Sequence, residues 1–146
     1  MRFFNTARKI LLIVICGLLL TVNVIGQQCN IIYVTPNGAS SGVAGTMANP
    51  ADLTYGLTLV TPTINQIWLA TGTYPISAIF LIPSNVTIEG GFDAATWTKS
   101  NSAQSILSKD ASNVLPAPAN ALVGLAGNSV SNFRLQDITI NVANAP

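Results

Sequence analysis

From residue 67 onward the chain alternates apolar and polar positions with a period of two, in short runs closed by Gly, Pro, Ser or Asn. The runs Ile67-Trp68-Leu69-Ala70, Ile79-Phe80-Leu81-Ile82, Val86-Thr87-Ile88, Ile106-Leu107, Leu122-Val123-Gly124-Leu125 and Phe133 to Val142 predict strands of three to five residues. None is long enough to be stable alone. Val86, Ile88, Phe133 and Leu135 are expected to point inward, with Arg134 and Gln136 opposite. Ile138, Ile140 and Val142 continue inward after a shift of one residue, the signature of a bend between two flat sheets. A theme recurs: Ser84-Asn85 precedes Val86-Thr87-Ile88, and Ser131-Asn132 precedes Phe133-Arg134-Leu135. Ser112-Asn113-Val114-Leu115 is a weaker third copy, and such recurrence indicates stacked repeats rather than a closed globule. Asn-Gly and Asp-Gly hairpin signals are missing between the runs, which argues for long crossovers and parallel pairing.

Upstream, Ile31 to Val34 reads as a first strand, and a loop of small residues runs from Thr35 to Met47. Asn49 is expected to cap a short helix, with Pro50 at its first position and Asp52 complementing its N-terminus. Leu53, Leu57 and Val60 share one face, and Pro62 ends the segment.

The first residues change the picture of composition. Arg2, Arg8 and Lys9 precede an apolar run from Ile10 to Leu20, about eleven residues, the length of a signal-peptide core and too short to cross a bilayer comfortably. Val24 and Gly26 suit cleavage after Gly26, giving a signal peptide over residues 1–26 and a mature chain from Gln27; the alternative is a retained anchor. The chain has 6 basic and 5 acidic residues. Three of the basic ones leave with the leader, so Lys99, Lys109 and Arg134 remain against Asp52, Glu89, Asp93, Asp110 and Asp137. Three dispersed cations cannot form the basic stripe that nucleic acid requires. Cys16 also leaves, so Cys29 has no partner for an internal disulfide. With 49% hydrophobic and 8% charged residues, the composition suits a secreted protein of short Val/Ile strands and Ser/Thr/Asn/Gly corners.

Four segments in order, Ile31-Ile32-Tyr33-Val34-Thr35-Pro36-Asn37-Gly38, Gly45-Thr46 before Asn49-Pro50, Ile67-Trp68-Leu69-Ala70-Thr71-Gly72-Thr73-Tyr74, and Val86-Thr87-Ile88-Glu89-Gly90-Gly91-Phe92, resemble the N-terminal part of right-handed parallel β-helix proteins of the pectate-lyase-like type. Many bacteria secrete or display such proteins. The resemblance implies an all-β solenoid of about three rungs, with residues 27–66 forming the first strand, loop and capping helix and residues 67–146 forming incomplete rungs. It also implies asparagine ladders at the corners, for which Asn85, Asn113 and Asn132 are the candidates. The family has many further rungs, whereas this sequence stops at Pro146, so a fragment or the opening of a longer solenoid is expected.

Candidate chemistry is sparse. Histidine is absent, which removes Ser-His-Asp, Cys-His and histidine-ligated metal arrangements. Glu89 or Asp93 with Asp110 or Asp137 would be the material for a glycosidase pair, or for a calcium site with Arg134 as base as in polysaccharide lyases. All five also read as solvated corner or strand residues. Trp68 and Phe92 read as packing residues; Trp97, between Thr96 and Thr98, is the expected exposed aromatic for stacking on a sugar. Asn85-Val86-Thr87 matches a glycosylation acceptor, incidental in a bacterial host. The resulting expectation is a non-catalytic secreted or cell-surface module, adhesin-like or glycan-contacting, with no cofactor. The alternative is the opening of a polysaccharide lyase or glycoside hydrolase, for which calcium would be the cofactor. Expected partners are polysaccharide or cell-surface glycans and further rungs, with no nucleic acid and no membrane span once the leader is gone.

Overall fold

The computed structural model describes residues 30–100, 103–112, 114–115 and 121–144. The expected signal peptide, Cys29, Asn113 and Pro146 lie outside the described residues. The protein is all-β with parallel sheets: β1 (Ile31–Ala39), β2 (Gln66–Ala70), β3 (Gly72–Ile76), β4 (Phe80–Leu81), β5 (Thr87–Phe92), β6 (Ser105–Lys109), β7 (Leu125–Ala126), β8 (Arg134–Gln136) and β9 (Ile138–Val142), with one short helix, α1 (Leu53–Thr58). Three sheets form in the orders β1-β2-β5-β8, β3-β6-β9 and β4-β7. Every pairing between these strands is parallel.

Register aligns like with like. Ile32, Ile67, Ile88 and Leu135 follow one another across the first sheet, and Tyr74, Leu107 and Ile140 across the second. Apart from Ile140, the residues of these columns meet the Phe80 and Ile82 side chains in a single core. Each fully buried aliphatic side chain in it contributes roughly 1.5 to 3 kcal/mol relative to exposure. Tyr74, deep in this core, satisfies its hydroxyl by donating to the carbonyls of Ala70 (2.7 Å) and Val34 (3.1 Å). Burial pushes its pKa well above the ordinary tyrosine value.

The frame shift expected between Leu135 and Ile138 falls at Asp137, whose φ of 52° turns the chain from the first sheet into the second. An equivalent turn ends β5, where the register with β2 slips between Trp68 and Ala70. Gly91 there has φ 86°, and a Cβ on Gly90 would stand 2.4 Å from the Asp137 carbonyl oxygen, so the strands approach at a distance only glycine permits. Buried Ser105 fastens this corner: its hydroxyl accepts from the Gly91 N–H (2.9 Å) and lies 2.9 Å from the Ala70 carbonyl and 3.1 Å from that of Leu69.

One end of the first sheet is covered. The Tyr33 N–H donates to the Gly45 carbonyl, the Ala39 N–H to that of Pro50 and the Asp52 N–H to that of Ala39, and α1 lays Leu53 and half-buried Leu57 on the core, with Val60 just beyond it. The helix begins later than its sequence suggests. Asp52, not Asn49, is the N-cap, its Oδ1 accepting from the Tyr55 N–H at 2.6 Å. Ala51 is held extended by bridging Val34 and Ala39 of β1, which keeps Pro50 and Ala51 out of the helix.

Three inward assignments need correction. Phe133, Ile140 and Val142 are each 46% exposed. Ile140 does continue the column of Leu107, which is 1% exposed, and Phe133 precedes Arg134 as buried Val86 precedes its partner Thr87. Their positions are inward, but Ile140 and Val142 lie on β9 and Phe133 just before β8, the last strands of their sheets, over which the described residues place nothing.

Candidate functional site

A cleft with a largely polar lining lies outside the core, where the end of β5, the start of β6 and the β8–β9 bend meet. It has a volume of about 260 Å³ and is lined by Gly91, Lys99, Ser100, Gln104, Asp137 and Thr139 among others. Lys99 reaches it because the segment after β5 folds back. Phe92 and Lys99 form an antiparallel bridge, the Ser100 N–H donates to the Gly91 carbonyl (2.7 Å) and the Asp93 N–H to the Thr98 carbonyl (2.9 Å). Asp93 builds the turn inside this loop, its carboxylate accepting from the N–H groups of Ala95 (3.0 Å) and Thr96 (2.8 Å) and from the Thr96 hydroxyl (2.9 Å). Those bonds, the Thr96 backbone first, hold its pKa below the usual carboxylate range.

Lys99 is the hub of the site. Its ammonium is paired with both Glu89 and Asp137 and stands 5.7 Å from the centre of the Phe92 ring. The hydrogen bond from Lys99 holds the Asp137 carboxyl below its ordinary pKa, with the lysine charge adding to it. Desolvation opposes the charged form of Lys99, but hydrogen bonds to Asp137 and Glu89, and then their charges, hold its pKa above the ordinary lysine value. Gln104 Oε1 accepts from the Thr139 hydroxyl at 3.2 Å. The cleft thus offers amide, hydroxyl, ammonium and carboxylate groups, the donors and acceptors that fit a polyhydroxylated ligand.

The residues singled out from sequence are distributed unevenly. Glu89 and Asp137 come together through Lys99, whereas Asp93 is used by its own turn. Asp110 lies at the corner after β6, accepting from Ser112 and from buried Lys109, whose ammonium also donates to the carbonyls of Asp110 and Ser112. Bonds from the Ser112 hydroxyl and N–H depress the Asp110 pKa. Arg134 is exposed on β8 with no ion pair among the described residues. Among the described residues no three Asp, Glu, Cys or His side chains converge as a metal would require.

Trp97 differs from its expected exposure: it is only 5% exposed. The outward face of the first sheet carries Tyr33 and Trp68 in adjacent register positions, and Trp68 stacks on Phe92 at 4.2 Å between centroids. Trp97 closes the cluster edge-on to Tyr33 at 4.7 Å. It is a lid on other rings, so it offers no open face for a sugar. Of the corner asparagines, Asn85 and Asn132 have φ of 59° and 54°, and the Asn132 amide donates to Asn85 Oδ1 at 3.2 Å. Ser131 N–H donates to Ser84 Oγ (3.2 Å), and Asn85 N–H to the Ser131 carbonyl (2.9 Å), so the recurring Ser-Asn corner stacks on its own copy. Sequence reasoning missed Lys99, Gln104 and Thr139. Their meeting depends on the fold-back after β5, which no local pattern announces; the scarcity of cations in the chain was the one available pointer to Lys99.

Comparisons with protein-family models, with curated proteins and with solved structures find no match.

Proposed function

We propose that this chain is a right-handed parallel β-helix module, secreted or displayed at a bacterial cell surface, that serves as a non-catalytic scaffold contacting glycans. The observation that carries the reading is the in-register parallel stacking of three sheets together with the Asn85–Asn132 contact between repeated corners. Such an architecture works through length and through the side chains arrayed along its flanks. The Lys99–Gln104–Asp137–Thr139 cleft is the place for a neutral, hydroxyl-rich ligand, since one cation there faces two carboxylates and an anionic sugar gains little.

One observation favours a second reading, the opening of a polysaccharide lyase or glycoside hydrolase: Glu89 and Asp137 converge beside a cleft. Against it, Asp137 is held ionised by Lys99, which suits a charge-paired support better than a general acid. The deciding experiment incubates the purified chain with pectin, alginate and neutral polysaccharides, with and without calcium, following new reducing ends, unsaturated products and ligand binding. The scaffold reading expects binding to a neutral glycan that weakens in Gln104→Ala and no turnover of any substrate. Turnover abolished by Asp137→Asn or Arg134→Ala would replace it with the enzyme reading.

A further inference from the structure

The ammonium of Lys99 has one acidic partner inside the cleft and one outside it. Asp137 lines the cleft, whereas Glu89 does not, and both are paired with Lys99. Glu89 is placed by β5: buried Ile88 and Gly90 flank it, so its side chain points away from the core, in register with Trp68 on one side and Gln136 on the other. The lysine is placed as well. Its bridge to Phe92 fixes the backbone, and its Cε passes 3.9 Å from where a Cβ on Gly91 would stand. The cation therefore sits between two parts of the fold, the outer face of β5 and the β8–β9 bend. The side chains of Lys99 and Glu89 are 33% and 23% exposed, against 53% for Asp137, so the pair behind the cleft is less screened by water than the pair within it.

These three groups carry one positive and two negative charges. Arg134 on β8 pairs with neither carboxylate, and Asp93 is used by its own turn. A carboxylate brought into the cleft by a uronic acid would meet Asp137 directly, while the cation able to compensate it is already neutralised from behind by Glu89. A neutral sugar avoids that conflict, because hydroxyl groups accept from Lys99 and donate to Asp137 without adding charge. Discrimination of this kind works by repelling the wrong ligand. With Glu89 uncharged, Lys99 would balance Asp137 alone and the repulsion would be relieved.

We propose that Glu89 is the specificity-determining residue of this cleft, a positioning residue that acts through Lys99 to exclude acidic sugars in favour of neutral ones of the same shape. The inference rests on the reading of the cleft as a glycan site. The probes are oligogalacturonides and oligomannuronides, each as the free acid and as the full methyl ester, pairs that differ in charge and hardly in shape. Calorimetric titration gives an affinity for each. The wild-type chain is expected to prefer an ester to its acid, with ester binding weakened by Gln104→Ala and the preference reduced by added salt, which screens the repulsion. Glu89→Gln, whose amide oxygen still accepts from Lys99, raises the acid-to-ester affinity ratio about threefold to fivefold; a loss of folding alone lowers both affinities and leaves the ratio where it was. In a Lys99→Met background the same substitution does not raise the ratio. Should the Lys99 variant fail to fold, the ratio for Glu89→Gln and its salt dependence decide alone. Ester binding with a ratio that Glu89→Gln does not raise, or a rise that persists without Lys99, overturns the inference and leaves the glycan reading standing. Binding of none of the four probes by either protein overturns the glycan reading, and the inference with it.

Discussion

Trp97 and Lys99 sit two residues apart on one fold-back and do opposite work. Trp97 seals the rings of Tyr33, Trp68 and Phe92, so Trp97→Ala is expected to lower unfolding free energy by about 3 to 5 kcal/mol while leaving glycan binding in the folded fraction unchanged; urea denaturation and a binding titration on the same variant check both halves. Lys99 acts through charge. Asp137 has a folded-state pKa below its unfolded value, so its pairing stabilises the fold fully above the ordinary Asp range near pH 4 and is lost as pH falls through the lower folded value. Lys99 has a raised pKa, so its share is complete below the unfolded lysine value and disappears as pH rises through the higher folded one. Urea midpoints measured across pH should therefore decline at both extremes, and Lys99→Met should reduce both declines, with residual alkaline sensitivity expected from buried Tyr74, whose raised value has another cause. Residual acid sensitivity is expected from Asp93 and Asp110, whose depressed values have other causes.

Among the elements, those whose apolar residues alternate cleanly were legible in the sequence, and the exceptions have identifiable physical causes. Ile67, Ile88 and Leu135 announce β2, β5 and β8 because one face is buried and one is not. Gly72 to Ile76 did not announce β3, since Gly and Pro within a run argue against a strand. Pro75 is tolerated because β3 is the edge of its sheet and pairs only with β6. The helix start was misplaced because the pairing of Ala51 with β1, a tertiary contact, overrides the Asn49-Pro50 signal. Asp52→Ala is accordingly expected to cost about 1 kcal/mol and Asn49→Ala less, the loss of the Asp52 cap being the larger; thermal melts of the two variants side by side give the comparison. At the sheet corner, Ser105→Ala strips the Gly91 N–H and the Ala70 carbonyl of a buried partner. A loss of roughly 1 to 3 kcal/mol is expected for it in chemical denaturation, larger than the lost methylene-scale packing would give.

Across the whole molecule, order of burial runs from the covered end to the open one. The site was less legible than the fold for that reason: the strand pattern is local, whereas the meeting of Lys99 with Asp137 needs β5, the fold-back and the β8–β9 bend all in place. Hydrogen exchange followed by mass spectrometry should find amides of β2 and β5, paired on both sides, exchanging far more slowly than those of β8 and β9; uniform protection across the strands would contradict this gradient. The cover over β1 also bears on how the chain reaches its native state. Parallel neighbours are joined only by crossovers, so every pairing closes a long loop and folding is slow relative to a hairpin protein of the same size. Residues 31–60 contain both β1 and the segment that shields one side of it, and they precede everything they will support. A chain emerging N-terminus first can complete this protected strand before β2 exists, and each later strand then adds to an edge already laid down. The helix and loop that block one end of the finished sheet thereby give folding a direction: a seed that can be extended from one side alone.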